Sequence, residues 1–432
     1  MFFINLSIKF YHFSIKLLAK CNFEKAHNFV EYRKDLFKKI KEALKNEDRK
    51  LLWFHCASVG EFEQARPLID KCFRLPDTAI LITFFSPSAF LNIPKYKYAH
   101  YIFPLPVDSH LNAKKFLDIV NPEKIFFIKY DYWPCYFKEA AKRNIDLFMV
   151  SAIFHSGRLA SFLRKYFFKK IFCDVTHFFL QDSNSARILF DLGFKNYTVI
   201  GDTRFDRVLS IKENPISLPV IKSFLDHESV QSVLIMGSVY PKDIKIFLSF
   251  VKQFGKEQRC YPYSRVIIAP HELSDVNKII GLFYKYLGAK PLIYSDIIDQ
   301  PILDAYGCPF LIVDRIGLLP YIYQYTKYYN CDYKYYSVAY IGGGFTKGIH
   351  NCLEPAIFQL PIIIGGSNYN KSKEVKDLMD LKACFNIKTD KGFLDIYNMI
   401  TSRKNVFMRS RLRKYMAINS NVSSKVFTHI NK

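Results

Sequence analysis

Two series of short apolar segments, separated by a polar stretch, constrain the fold of this chain more than any other feature of its sequence. The segments are rich in β-branched and aromatic residues, and helical patterns lie between them. Continuous apolar strands of this kind are typical of parallel sheets that helices cover on both faces. The first series comprises residues 50–57, 79–86, 101–106, 124–130, 146–154, 175–182 and 197–202. The second comprises residues 232–239, 264–271, 290–295, 309–314, 336–342, 360–365 and 383–388.

The two series predict an α/β protein with two Rossmann-like, doubly wound domains that face each other across a cleft. The 432-residue chain would comprise an amphipathic helix at 1–22, a first domain at 23–212, a linker at 213–230, a second domain at 231–400 and a basic helical tail at 401–432. The tail has eight Lys or Arg and no Asp or Glu, which is more typical of a solvated helix than of a site. Ligands of such domains bind where strands end, so functional residues are expected in the turns after strands.

The charge balance and the cysteine spacing narrow the possible functions. A formal net charge of +23 favours a polyanionic partner such as nucleic acid, anionic lipid or a phosphorylated substrate. Compositional drift towards lysine explains the surplus equally well. The ten cysteines are never closer than 16 positions, which excludes a CxxC pair or a zinc ribbon and predicts no metal site.

Residues 1–22 form a predicted helix with a narrow cationic stripe. Lys9, Lys16 and Lys20 lie on one side, and the first acidic residue is Glu24. An anionic bilayer would meet these cations and a wide apolar arc, as it meets an interfacial helix. The alternative is a helix that packs on the protein's own core. No apolar stretch reaches the roughly 20 residues that a membrane-spanning helix needs.

The turn after the first strand contains candidate catalytic residues, namely His55, Ser58, Gly60 and Glu61. Gly60 would let the backbone turn tightly, and Glu61 would begin a helix at the cleft. A carboxylate at a helix start often only stabilises the helix dipole. The position of Glu61 after the first strand, near Ser58 and His55, also fits a general base.

A glycine-rich turn within residues 342–355 marks the second series. It joins an apolar strand to a predicted helix, and backbone N–H groups at such a helix start suit a phosphate. Asn351 and Glu354 are three positions apart and would share one helical face, where a carboxylate accepts hydrogen bonds from ribose hydroxyls. Phosphate and ribose together indicate a nucleotide. The turn lacks the Walker ending and the GxGxxG spacing, so it is not a standard ATP or NAD loop.

Seven motifs along the chain resemble, in order, those of one protein family. They are HxxSxGE at 55–61, YDYWP at 130–134, GDTRFD at 201–206, GS at 237–238 followed by Pro241, APH at 269–271, DRIG at 314–317 and GIHNCLEP at 348–355. Together they closely resemble the Kdo transferases, which move 3-deoxy-D-manno-octulosonic acid (Kdo) from CMP-Kdo onto the lipid A precursor in lipopolysaccharide synthesis. The resemblance covers about residues 20–400, and collinear motifs are more specific than any one of them.

The resemblance implies the reaction and its catalytic groups. Members of the family are inverting, metal-independent glycosyltransferases of the GT-B type that need no cofactor. Glu61 would be the general base that deprotonates a glucosamine hydroxyl of the acceptor, and Asp131 and Arg204 would stabilise the transition state. Arg204 replaces a lysine of the family, and Lys129 stands where many members have an acid. An ion pair with a neighbouring lysine is the alternative for Asp131.

The same resemblance implies the remaining contacts with substrate. The acceptor-side residues would be His55, Ser58 and Gly60. The residues implied to bind CMP are Ser238, Pro270, His271, Ile316, Gly317, Leu318, Gly343, Gly344, His350, Asn351, Cys352, Leu353 and Glu354. Many relatives have an arginine in place of His271, and a histidine in a strand-end turn is otherwise more often structural.

A Kdo transferase would work at the cytoplasmic face of the inner membrane as a peripheral or monotopic protein. Its partners would be CMP-Kdo, the lipid A precursor and the anionic membrane surface, without nucleic acid. One alternative is another GT-B transferase, or an epimerase, that uses a UDP-sugar, because the fold alone does not discriminate. The other is a non-catalytic, basic nucleic-acid-binding protein, which would instead need clustered basic and aromatic residues.

Overall fold

The computed structural model describes most of the chain. The described residues are 14–15, 17–18, 21, 23–155, 162–225, 230–258, 261–299, 307–326, 336–370, 372–401 and 406–431. The helix predicted at 1–22 falls almost entirely outside this range. Within the range, no helix combines the length and the apolar character needed to cross a bilayer.

Two parallel sheets of seven strands each form the frame and confirm the predicted α/β class. The order in the first sheet is β3-β2-β1-β4-β5-β6-β7, with strands β1 (Lys50–Cys56), β2 (Thr78–Phe84), β3 (Tyr101–Pro104), β4 (Lys124–Ile128), β5 (Asp146–Ala152), β6 (His177–Leu180) and β7 (Tyr197–Val199). The order in the second sheet is β10-β11-β9-β8-β12-β13-β14, with strands β8 (Ser232–Val239), β9 (Arg265–Pro270), β10 (Leu292–Ile293), β11 (Phe310–Ile312), β12 (Tyr336–Ile341), β13 (Ile362–Gly365) and β14 (Cys384–Ile387). Each predicted apolar segment coincides with one strand.

The chain divides into two compact units, one of residues Met1–Arg207 with Asn419–Lys432 and one of residues Val208–Ile418. The helices that begin in the first unit are α1 (Glu24–Glu31), α2 (Leu36–Ala43), α3 (Val59–Cys72), α4 (Pro87–Asn92), α5 (His110–Val120), α6 (Pro134–Lys142), α7 (Phe162–Phe172), α8 (Ser183–Asp191), α9 (Arg204–Glu213) and, at the end of the chain, α19 (Val422–Ile430). The second unit has α10 (Pro219–Leu225), α11 (Pro241–Gln258), α12 (Val276–Leu287), α13 (Tyr294–Ile297), α14 (Leu319–Ile322), α15 (Leu353–Ile357), α16 (Lys373–Asp380), α17 (Asp390–Thr401) and α18 (Val406–Asn419). The boundary therefore falls inside α9, slightly before the predicted linker.

Strand β1 lies at the centre of the first unit and is buried on both faces. Leu51 and Trp53 join the core on one side of the sheet, whereas Leu52 and Phe54 join the core on the other. Because successive side chains of a strand point to opposite faces, a continuous apolar run is what a doubly covered strand requires. Burial of each such side chain stabilises the fold by roughly 1.5–3 kcal/mol.

Helix α19 belongs to the first unit, although the sequence predicts one solvated helical tail at 401–432. Val422, Val426 and Ile430 recur every four residues and are buried in the core of that unit. The carboxylate of Asp206 accepts hydrogen bonds from the N–H groups of Val422 at 3.2 Å and Ser423 at 2.6 Å, and so satisfies the start of the helix. The final residues thus serve as a packing element, because their apolar stripe outweighs the basic composition.

The strand order fixes where each unit can hold a ligand. In the first sheet, the connections from β1 and β4 leave in opposite directions, and in the second sheet those from β8 and β12 do so. A crevice opens at such a switch point, beyond the carboxyl ends of the strands. The motifs HxxSxGE, YDYWP, GS and GGGFTKGIHN lie at or directly after the carboxyl ends of these four strands.

Candidate active site

Glu61 lies in the first turn of α3, directly after β1, and a capping box holds its side chain. The N–H of Ser58 donates to Oε2 of Glu61 at 2.8 Å, and the Ser58 hydroxyl donates to the same oxygen at 3.1 Å. Ser58 in turn caps the helix through its own side chain. This reciprocal arrangement fixes the carboxylate at the edge of the crevice.

Gly60 does not make the tight turn that the sequence led us to expect. It belongs to α3 and does not have a positive φ. A Cβ at this position would meet only the Ser58 Oγ, at 3.8 Å. The capping residue Ser58, with φ of −136°, changes the chain direction instead. The exposed Gly60 leaves open space beside the helix start.

Asp131 follows β4 and faces Glu61 across the switch point. Glu61 is 7% exposed, and the side chain of Asp131 is 18% exposed. The N–H of Ala57 donates to both carboxylates, and the charge of Lys129 favours the ionised form of both. Two acids in one buried site repel each other when both are charged, so their titrations are linked.

The pKa values of this carboxylate pair are raised. Burial raises the pKa of Glu61, although hydrogen bonds from Ser58 oppose the change. Burial and then the negative charge of Glu61 raise the pKa of Asp131 to about 7. A carboxylate with a raised pKa is a stronger base than an exposed one, so the pair is suited to accept a proton near neutral pH.

His55 is completely buried in β1 and contacts Asp131, which differs from its predicted place beside the acceptor. Its Nε2 lies 3.7 Å from Oδ2 of Asp131. Its Nδ1 is 2.9 Å from the Thr83 hydroxyl, which also accepts a hydrogen bond from the Trp53 indole at 2.8 Å. Burial lowers the pKa of His55 to about 3. The imidazole is therefore neutral and reaches the site only through Asp131.

Arg204 is the first residue of α9 and is bound by Asp202. Its Nε donates to Oδ2 of Asp202 at 2.7 Å, and its backbone N–H donates to Oδ1 at 2.9 Å. Gln64, one turn beyond Glu61 in α3, lies 3.5 Å from the same Oδ1. Asp202 thus ties the predicted cation to the helix of the predicted base. The sequence analysis missed this role, although Asp202 lies in the GDTRFD motif that it singled out.

In the second unit, the glycine-rich turn packs directly against the ends of neighbouring strands. A Cβ on Gly342 would lie 2.4 Å from the backbone oxygen of Ser238, and one on Gly344 would lie 1.9 Å from that of Gly365. Ser238 itself has a positive φ of 53°, which is uncommon outside glycine. Gly342 and Gly344 are therefore required because the backbone of the turn lies too close to the neighbouring strand ends to leave space for a Cβ.

The sequence predicts that the glycine-rich turn offers free backbone N–H groups to a phosphate. In the structure, several of these groups already donate hydrogen bonds within the fold. The N–H of Gly342 donates to Gly237 at 2.9 Å, that of Gly348 to Gly343 at 3.0 Å and that of His350 to Gly342 at 3.3 Å. The N–H of Gly343 donates to the carboxylate of Asp243. Helix α15 begins only at Leu353 and has five residues. These four amides, that of Gly343 among them, are engaged in the fold and are not free for a ligand.

Three aromatic side chains gather where β8, β9 and the glycine-rich turn meet. The rings of His271 and His350 stack with centroids 4.1 Å apart, and the ring of Tyr240 lies 5.1 Å from that of His271. Burial lowers the pKa of His271 and lowers that of His350 to about 4. Both imidazoles are therefore mainly neutral near pH 7, so His271 supplies little positive charge to a ligand. Pro270, the last residue of β9, precedes this cluster.

Asn351 and Glu354 do not share the helical face that their spacing predicts, because Asn351 precedes the helix, but their side chains contact each other. Nδ2 of Asn351 donates to Oε1 of Glu354 at 3.1 Å, and Oδ1 accepts from the N–H of Leu353 at 3.1 Å. Asn351 therefore precedes α15 and binds its first turn. The side chains of Cys352 and Leu353 are fully buried, so they shape the core under this turn.

The loop after β11 contains the remaining predicted donor residues. Ile316 is 75% exposed, Gly317 has a positive φ of 87°, and Leu318 precedes α14. A Cβ at Gly237 would lie 2.7 Å from the side chain of Leu319. The start of α14 thus packs on the end of β8, beside Ser238.

Among the described residues, no three His, Cys, Asp or Glu side chains converge in a way that could hold a metal ion. The prediction that the reaction needs no metal and no cofactor stays a prediction. In the first unit, Asp131 lies beside the neutral His55 and is influenced by the charge of Lys129. In the second unit, Glu354 accepts a hydrogen bond from Asn351.

Comparison with known proteins relates the chain to one family. Residues 32–207 match the family model described as 3-Deoxy-D-manno-octulosonic-acid transferase (kdotransferase). The 3-deoxy-D-manno-octulosonic acid transferase of Rickettsia bellii is 27% identical over 371 residues, which cover 84% of this chain and 82% of that protein. The enzyme of that name from Aquifex aeolicus is 24% identical over 379 residues, which cover 87% of this chain and 92% of that protein.

Solved structures of low identity share the fold. The UDP-GlcNAc 2-epimerase of Neisseria meningitidis, bound to UDP-GlcNAc, matches 89% of this chain and 100% of its own with a TM-score of 0.56 at 11% identity. The UDP-N-acetylglucosamine 2-epimerase of Rickettsia bellii matches 88% of this chain and 96% of its own with a TM-score of 0.51 at 13% identity. These likenesses support the GT-B class and carry no information on the substrate.

Proposed function

We propose that this chain is a glycosyltransferase of the Kdo transferase type, which its similarity to that family over residues 32–207 supports, and that it moves Kdo from CMP-Kdo to the tetra-acylated lipid A precursor, lipid IVA, with release of CMP. The observation that carries the proposal is the pair of buried carboxylates at the switch point of the first sheet. Glu61 and Asp131 lie within the region that matches the family model. The epimerase alternative shares the fold but not this family match.

Glu61 is the proposed general base. Its carboxylate takes the proton of a glucosamine hydroxyl while the hydroxyl oxygen attacks the anomeric carbon of Kdo from the face opposite CMP. The new glycosidic bond forms as the bond to the phosphate of CMP breaks, and the electron pair leaves with that phosphate. The configuration is inverted, and the proton stays on Glu61 until solvent removes it. The raised pKa of Glu61 suits this task.

Asp131 and Arg204 are the proposed transition-state stabilisers. Asp131 adds negative charge near the reacting carbon, where positive charge develops, and His55 and Lys129 hold it in place from the protein side. Arg204 supplies a cation whose direction Asp202 fixes. A fixed charge stabilises a transition state without the cost of reorganisation that water would require.

The proposed donor site lies at the strand ends of the second unit. Ser238, His271 and His350 would face the phosphate and the base, and the Asn351–Glu354 pair would bind ribose hydroxyls through its carboxylate. Pro270, Gly343 and Gly344 would form the walls, together with the loop of Ile316, Gly317 and Leu318 and the buried Cys352 and Leu353 beneath. The support for this assignment is that Ser238 and the glycine-rich turn lie at the ends of β8 and β12, the switch point of the second sheet, where α/β sheets bind ligands.

The proposed acceptor is a lipid, so the proposed place of work is the cytoplasmic face of the inner membrane, with the protein attached as a peripheral or monotopic protein. The formal net charge of +23 supports contact with an anionic bilayer surface, because each lysine or arginine near such a surface contributes about 1 kcal/mol. The helix predicted at 1–22 would add the apolar contact. Nucleic acid is not among the proposed partners.

A donor comparison tests the proposal against the UDP-sugar alternative. We expect CMP and CMP-Kdo to bind the full-length protein in titration calorimetry, because the site would select the cytosine base and one phosphate. UDP and UDP-GlcNAc should bind at least about ten-fold more weakly, a difference of roughly 1.4 kcal/mol. Tight binding of UDP-GlcNAc without binding of CMP would assign the chain to the UDP-sugar enzymes.

A further inference from the structure

The geometry of the second unit points to a phosphate-binding role for Lys347, a residue of the glycine-rich turn that the family motifs do not single out. We infer that its ammonium group pairs with the phosphate of a nucleoside monophosphate bound between Tyr240, His271 and His350. This inference rests on the proposed function, since it concerns the donor site proposed above. It adds a cation to a cluster whose two imidazoles are mainly neutral near pH 7.

Lys347 reaches the aromatic cluster from the turn after β12. Its Nζ lies 3.3 Å from Oε1 of Glu272 and 6.0 Å from the centroid of the Tyr240 ring. Its charge also contributes, after burial, to the lowered pKa values of His271 and His350. The ammonium group is therefore within electrostatic range of all three rings.

The cluster contains buried polar atoms that the described protein leaves unsatisfied. The Tyr240 hydroxyl and the Nε2 of His350 have no hydrogen-bond partner among the described residues, and Tyr240 is only 7% exposed. Buried polar groups are costly unless they are paired, so two of them at one place indicate a bound group that supplies the partners. A phosphate oxygen accepts hydrogen bonds from both types of donor.

A phosphate at this point needs a positive charge, and the two imidazoles supply little. Both are mainly neutral near pH 7 because burial lowers their pKa values. Lys242 of α11 lies 5.6 Å from the Phe345 ring and lines a surface groove of about 640 Å³ together with Lys245 and Lys388. Lys347 is the lysine whose charge acts on the histidines.

Glu272 holds Lys347 in the absence of ligand and would compete with the phosphate. The side chains of this ion pair are 75% and 48% exposed, so the pair itself contributes little to stability. A phosphate has more negative charge than a carboxylate and three acceptor oxygens, and it would take over the ammonium group. Removal of the Glu272 charge should therefore strengthen phosphate binding rather than weaken it.

Titration calorimetry of the full-length protein with CMP and with cytidine, at pH 8 and low salt, tests the inference. We expect Lys347→Met to weaken CMP binding roughly ten-fold or more, the effect of losing a charged hydrogen bond, and to leave cytidine binding unchanged. Lys347→Arg should retain most of the affinity. The matched control Lys242→Met should stay within about two-fold of the wild type, since its charge is farther from the site.

The Glu272→Gln variant separates phosphate binding from a structural ion pair. We expect tighter CMP binding in this variant, opposite to the effect of Lys347→Met. If Lys347 acts only through its pair with Glu272, both variants should weaken CMP binding alike, and that result would overturn the inference. Unchanged CMP affinity in Lys347→Met, or an equal loss of cytidine binding, would overturn it too.

Inorganic phosphate and UMP keep this test separate from that of the proposed function. A wild-type protein that binds inorganic phosphate or UMP through Lys347 but shows no preference for CMP would retain the phosphate site and overturn the proposed donor. If the wild-type protein prefers CMP and the Lys347→Met variant binds it equally well, the proposed donor would stand and the phosphate-binding role of Lys347 would be overturned. A wild-type protein that binds none of these ligands would overturn both.

Discussion

Glu61→Gln is expected to fold, to bind CMP and to lose transfer activity by 10²–10⁴-fold, the usual contribution of a general base. Glutamine keeps the shape of the side chain and still accepts the hydrogen bond from the N–H of Ser58, because a capping box tolerates Glu or Gln at this position. Only the ability to take a proton is lost. Steady-state kinetics with saturating CMP-Kdo and acceptor give the ratio of wild-type turnover to Glu61→Gln turnover.

The same substitution should not lower the free energy of unfolding at neutral pH. The folded-state pKa of Glu61 is raised by burial, so its charged form costs stability above that pKa, and this cost disappears as the pH falls through it. Glutamine removes the cost at every pH. We therefore expect an unchanged or higher midpoint in urea unfolding at pH 8.

Glu63→Gln is the matched control on the same helix. Burial raises the pKa of Glu63, but the charges of Arg207 and Arg66 outweigh burial and hold it below its usual range. A carboxylate with a lowered folded-state pKa stabilises the fold above its unfolded pKa and loses this contribution as the pH falls. The control should lose some stability and keep its activity. Retention of more than about a tenth of wild-type turnover by Glu61→Gln would refute the base assignment.

The activity should fall on the acid side with an apparent pKa near 7. The base must be ionised, and Glu61 shares its site with Asp131, whose pKa burial and the Glu61 charge raise to about 7. As the pH falls below this value the pair takes up a proton, and turnover should drop about ten-fold per pH unit, or roughly a hundred-fold at pH 5. The rate of transfer between pH 5 and pH 9 is the measurement.

Asp131→Asn should shift that acid limb to lower pH. The groups that face Asp131 are Glu61, Lys129, the neutral His55, the Trp133 side chain, which donates a hydrogen bond to it, and the N–H of Ala57. Loss of the Asp131 charge removes its repulsion of Glu61, so the pKa of Glu61 should fall and the base should stay ionised in more acidic solution. His55 cannot produce the limb, because its pKa is lowered to about 3. An acid limb that stays in place in Asp131→Asn would show that the two carboxylates do not titrate together.

The fold and part of the site follow from local sequence. Continuous apolar runs predict the strands because a doubly covered strand is apolar on both faces, and Glu61 is singled out as a candidate base because it follows the first of them, near Ser58 and His55. The sequence does not reveal contacts between distant residues. The return of α19 to Asp206, the packing of Gly344 on Gly365 and the pairing of Lys347 with Glu272 all depend on tertiary structure.

The same limit explains the differences at individual site residues. The motif predicts that His55 lies near the acceptor, whereas its side chain is buried in the structure. In a strand that is covered on both faces, the apolar pattern does not indicate to which face a given side chain points. The glycine-rich turn is expected to offer free amides, yet Gly342 and Gly348 donate within the turn and the adjacent strand. A motif predicts which residues matter, whereas the hydrogen bonds decide which atoms remain for a ligand.

Transfer to a lipid acceptor tests the central claim most directly. The full-length protein is incubated with CMP-Kdo and lipid IVA in detergent micelles, and the lipid mass and the released CMP are measured. We predict a mass gain of one or more whole Kdo residues, one CMP released for each Kdo added, and at least about a hundred-fold less of both products per unit time with Glu61→Gln. A lipid mass that stays unchanged with CMP-Kdo, or a sugar that is added from a UDP-sugar instead, would contradict the account.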